Sequence, residues 1–103
     1  MDERELHRIL AQGEGFRIEF KEAQNGVPDT LYDTVSAFLN REGGVILLGV
    51  DDNGNVLGLN GQNLMQLKQN VVTALNNPDV INPPFALAVN EVVHGNDTLL
   101  YIR

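Results

Sequence analysis

Apolar positions along the chain follow two periods, one helical and one extended. Leu6, Ile9 and Leu10 recur at i, i+3 and i+4 and predict a first helix over residues 2–12, closed by Gly13 and Gly15. Leu31, Val35, Phe38 and Leu39 stand at i, i+4, i+7 and i+8, which predicts a second helix from Pro28 to about Glu42. Leu64, Leu67, Val71 and Leu75 give a third over residues 62–76, stopped by Asn76-Asn77-Pro78. Arg17-Ile18-Glu19-Phe20-Lys21 instead alternates strictly. On a strand, Ile18 and Phe20 turn to the core while Arg17, Glu19 and Lys21 line the opposite face.

Residues 45–50 are apolar or glycine throughout, a run too short for a helix and suited to a strand covered on both faces. Gly43-Gly44 before it suits a helix stop, since glycine takes left-handed conformations without steric penalty. Asp51-Asp52-Asn53-Gly54 after it carries the Asn-Gly hairpin signal, with residues 55–59 as a short return strand broken by Asn60-Gly61. Asn82-Pro83-Pro84 is a stiff link. Residues 85–93 and 98–102 then form strands around a turn at His94-Gly95-Asn96-Asp97. The pattern is that of one small α+β domain over residues 1–103, a mixed sheet with three helices.

Composition narrows the class. The 103 residues are 43% hydrophobic and 20% charged, within the range of globular domains. Without cysteine there are no disulfides or thiolate metal sites. No apolar run reaches the length of a membrane span, and the charged Met1-Asp2-Glu3-Arg4-Glu5 start is unlike a signal peptide, so the cytoplasm is the expected location. The net charge of −7 weighs against nucleic-acid binding, which draws on clustered Lys and Arg. Most of the basic residues nevertheless fall in the first half, as Arg4, Arg8, Arg17, Lys21 and Arg41. His7 and His94 read as exposed residues, and Tyr32 as a boundary packing residue.

Familiar chemical motifs are missing. There is no phosphate-cradling Gly-x-x-x-x-Gly-Lys sequence and no dinucleotide glycine spacing. The Asp51-Asp52-Asn53-Gly54-Asn55 stretch has its glycine misplaced for a calcium loop. What remains is carboxylates. Glu14 and Glu19 bracket the start of the first strand, and Asp51 and Asp52 end the central one. If these strands are neighbours, three or four hard oxygen donors converge near Lys21, a set suited to Mg²⁺ or Mn²⁺.

The linked motifs Glu14-x-x-x-x-Glu19-Phe20-Lys21, Val35-Ser36-Ala37-Phe38-x-Asn40-x-x-Gly43-Gly44, Leu48-Gly49-Val50-Asp51-Asp52-x-Gly54 and Val56-x-Gly58 come in a specific order. In that order the chain resembles the Schlafen AlbA-type domain, described as a DNA-binding domain of bacterial transcriptional regulators and formerly labelled a divergent AAA ATPase domain. The resemblance implies a nucleic-acid-binding module, with DNA favoured over RNA, acting as a homodimer and needing no cofactor. On it, Arg17, Lys21 and Arg41 contact phosphate and Asn40 assists. The family usually continues past the last residue here, so further C-terminal domains of a longer protein are expected. Animal relatives include metal-dependent ribonucleases. Carried over, their ligands are Glu14, Glu19 and Asp51 or Asp52, holding Mg²⁺ or Mn²⁺, with Lys21 stabilising charge. The balance falls on binding over catalysis. An oligomerisation or nucleotide-sensing module is the third alternative.

Overall fold

The computed structural model describes residues 1–39, 43–59, 63–76 and 88–103. Among these, the elements run α1 (Glu3–Gln12), β1 (Ile18–Lys21), α2 (Leu31–Leu39), β2 (Val45–Leu48), α3 (Leu64–Leu75), β3 (Val89–His94) and β4 (Asp97–Ile102). The sheet order is β1-β2-β4-β3. β1 and β2 are parallel, as expected of strands joined through a helix, whereas β4 runs antiparallel to both β2 and β3. The fold is therefore α+β around a mixed sheet.

β2 occupies the centre. Val45, Ile46, Leu47 and Leu48 are all buried, so each face of the strand needs a covering layer. Val45 and Leu47 belong to the core under α1, with Leu6, Ile9, Ile18, Phe20, Leu99 and Tyr101. Ile46 and Leu48 belong to the opposite core, where α2 supplies Leu31, Val35 and Phe38 and α3 supplies Leu67, Val71 and Leu75. The predicted stripes are thus the buried faces. Leu64 is only partly buried, at the helix start, and the side chain of Leu39 lies outside the described residues.

Boundaries are set by local hydrogen bonds. Asp2 caps α1 by accepting from the Glu5 N–H at 2.8 Å, and Asn63 caps α3 by accepting from Gln66 at 3.1 Å. Pro28 does not open α2. Its carbonyl accepts from Leu31 in a preceding turn, and the helix begins at Leu31. The expected return strand over residues 55–59 reduces to one bridge, Val50 with Val56. Beyond it, the Leu57 and Gly58 N–H groups both donate to the Gly49 carbonyl, so no ladder continues. In the last strand pair β3 runs Val89–His94, with the turn at Gly95 and Asn96, while the part of the expected strand at residues 85–87 lies outside the described residues. The expectations at Asn40, Arg41, Asn60-Gly61, Asn77-Pro78 and Asn82-Pro83-Pro84 concern positions outside the described residues.

Gly44 fixes how closely β2 approaches β1. Its φ is +158°, and a Cβ there would lie 2.6 Å from the Arg17 carbonyl oxygen and 2.9 Å from the Phe38 ring. The next residue, Val45, donates to that same carbonyl at 2.8 Å. The oxygen cannot retreat without breaking the first rung of the sheet. Gly44→Ala is expected to destabilise the domain by about 1–3 kcal/mol, read from the midpoint of urea unfolding.

Candidate functional site

Side chains at Arg17, Glu19 and Lys21 share a face on an ideal strand, but β1 begins only at Ile18. Arg17 precedes it and lines a groove beside α1 with Arg8 and Ile9. Glu19 and Lys21 are in register with Ile46 and Leu48, which places them on the face covered by α2 and α3. There the Lys21 ammonium donates to the Thr30 hydroxyl at 2.7 Å and stands 3.7 Å from the Glu19 carboxylate. Its side chain is only 10% exposed. Lys21 thus ties the open edge of the sheet to the approach to α2.

The segment before β1 folds back along its outer edge. In the parallel pairing, the carbonyls of Arg17 and Lys21 accept from β2 and its continuation, Val45 and Gly49. The main-chain groups of Ile18 and Phe20 therefore point away from β2. Gly15 donates to the outward Ile18 carbonyl at 3.0 Å, and the Glu14 carboxylate accepts from the Phe20 N–H. This return places Glu14 against the strand that carries Glu19. It carries the Glu14 carboxyl to the strand edge near Glu19, within reach of Asp52 beyond the end of β2.

Glu14 consequently feels two of the other three expected carboxylates, Glu19 and Asp52. Glu14 is an exposed residue, yet its carboxyl is held above the ordinary glutamate range. Partial loss of hydration against the strand is the main cause, followed by the negative charges of Glu19 and Asp52. A hydrogen bond shared with Asp52 adds to the rise, while the Phe20 N–H opposes it.

Asp51 behaves differently. Its Oδ1 accepts from the Asn53 and Asn55 N–H groups, both at 2.9 Å, and its Oδ2 from the Asn55 side-chain amide at 3.0 Å. These bonds hold its carboxyl below the ordinary aspartate range, led by the backbone N–H of Asn55. Its carboxylate organises the turn, and Asp52 is the aspartate that meets Glu14. Among the described residues, no group of three or more His, Cys, Asp or Glu side chains is gathered closely enough to hold a metal ion. Nor does the coupled trio satisfy that geometry as it stands.

One contact escaped the sequence reading. His7 and His94 meet edge to face, with ring centroids 5.3 Å apart, where α1 packs against β3. Their distance in sequence hid it. Glu3 accepts from the nearby Gly95 N–H at 3.3 Å, a second tie between α1 and the hairpin.

The two perturbed carboxyls act on stability with opposite signs. The folded chain binds the Glu14 proton more tightly than the unfolded chain. Its stabilising contribution is present below the ordinary glutamate pKa and lost as pH rises through the raised value. Glu14→Gln is therefore expected to stabilise the domain at neutral pH, with the gain shrinking on acidification. Asp51 contributes stability above the ordinary aspartate pKa and loses it as pH falls through the depressed value. Asp51→Ala should destabilise at neutral pH and converge on the wild type in acid. Urea unfolding of both variants across this range measures the two signs.

No helix among the described residues is long and apolar enough to cross a membrane. Comparison with curated proteins and with solved structures returns no match. A family model does match, described as Schlafen, AlbA_2, and it covers residues 14–103, from the carboxyl that caps the β1 edge to the end of the chain. The chain belongs to the Schlafen AlbA_2 family.

Proposed function

We propose that this domain is the nucleic-acid-binding module of a bacterial transcriptional regulator, with DNA as its target. The observation that carries this reading is membership of the Schlafen AlbA_2 family over residues 14–103. Site chemistry favours binding over cleavage. Both oxygens of Asp51 are committed to its own turn, and the Lys21 ammonium is committed to Thr30 and Glu19. Two groups that a nuclease would turn toward a scissile phosphate are thus occupied in holding the fold.

The coupling of Glu14 to Glu19 and Asp52 favours a second reading, a Mg²⁺- or Mn²⁺-dependent endoribonuclease. It requires these carboxylates to draw into a tighter group than they form here.

One experiment separates the two. Labelled DNA and RNA are mixed with the domain at low salt, with and without Mn²⁺, and followed by fluorescence anisotropy and on denaturing gels. Metal-independent binding of DNA that weakens with salt, with both strands intact, is expected. Mn²⁺-dependent cleavage of RNA that disappears in Glu19→Gln would establish the nuclease instead.

A further inference from the structure

We infer that the groove between α1 and the adjoining ends of the sheet, lined by Arg8, Arg17 and Arg103, seats the phosphates of a nucleic-acid backbone. The inference rests on the nucleic-acid-binding reading and gives it a surface. Arg8 comes from α1, Arg17 from just before β1, and Arg103 from just after β4. They are far apart in sequence and are brought together because β4 ends beside the start of β2. Among the described residues of the lining, Glu5 is the one that is acidic, and three arginines against it leave a balance of +2 in a chain whose net charge is −7.

The groove has a volume of about 560 Å³, ample for a sugar-phosphate unit. Gly44 contributes to its wall without a side chain. Guanidinium forks match phosphate oxygens bidentately and stay charged at any physiological pH. Glu5 arranges two of them, with Oε1 at 2.6 Å from Arg103 and 3.9 Å from Arg8. Both arginines still face solvent, with side chains 48% and 74% exposed respectively.

Phe16 points to nucleic acid over a simple anion. It is 63% exposed and immediately precedes Arg17 of the groove lining, so an exposed aromatic of the kind on which single-strand binding surfaces stack bases stands one residue from a phosphate-binding group. Glu14, on the outer edge of β1, and Asp52, past the end of β2, lie outside the groove lining. Their charge repels a backbone there and favours the arginine side.

The test measures labelled oligonucleotide affinity over a salt series for Arg8→Ala, Arg17→Ala and Glu5→Gln. Arg4→Ala serves as the control, because Arg4 is an exposed residue of α1 outside the groove and its loss changes net charge equally. Circular dichroism confirms that each variant is folded. Arg8→Ala and Arg17→Ala should each weaken binding roughly tenfold and flatten the salt dependence by about one unit of slope. Glu5→Gln should tighten binding severalfold, and Arg4→Ala should change it little. Binding by the wild type that is equally insensitive to Arg8→Ala and Arg17→Ala would overturn the groove assignment and leave the binding function standing. Equal losses in Arg4→Ala and the groove variants would also overturn it, as an effect of net charge alone. A wild type that binds no oligonucleotide even at low salt would overturn both.

Discussion

The structure depends on a strand of four residues that exposes no side chain. Burying Val45 to Leu48 on both faces requires two separate helical layers, and satisfying the strand's main-chain groups requires a partner on each side. β1 and β4 supply the partners, α1 one layer, and α2 with α3 the other. Everything of chemical interest is placed by these demands. Glu19 and Lys21 sit where they do because β1 must pair with β2, and Arg103 because β4 must pair on the other side.

The ends of β2 consequently differ in charge. Before its start are Gly44 and the arginine groove; past its end lie Asp51 and Asp52, the latter within reach of the Glu14 carboxyl on the outer edge of β1. An overall charge of −7 conceals this separation, since opposite signs are averaged over a molecule about 36 Å long. Two ends of one short strand can therefore meet different partners without either charge group crossing the core.

Much of this was legible in the residues. The three helical stripes, the doubly buried strand and the Asp51–Gly54 turn follow from periodicity and turn chemistry, because these are local properties. The return strand failed because Gly49, at φ +103°, aims its carbonyl at two successive N–H groups. Alternation in the sequence cannot reveal that geometry. The carboxylate cluster was legible as a condition, that the two strands be neighbours, and parallel pairing of β1 with β2 meets it. Which aspartate joins the cluster was not legible, since Asp51 and Asp52 are adjacent and chemically alike. Their separation comes from the hydrogen bonds of the turn. The arginine groove was invisible for a further reason: its members come from three segments that only the completed sheet assembles.

Glu14 shows how a structural requirement can imitate a functional signature. Its carboxyl covers an N–H on the outer edge of β1, a position where an uncovered donor invites pairing with another chain. Reaching that N–H bears on how many residues separate Glu14 from Phe20, the residue after Glu19. The place of Glu14 ahead of the strand is thus accounted for by the closing of a sheet edge, with no cleavage of RNA needed to explain it.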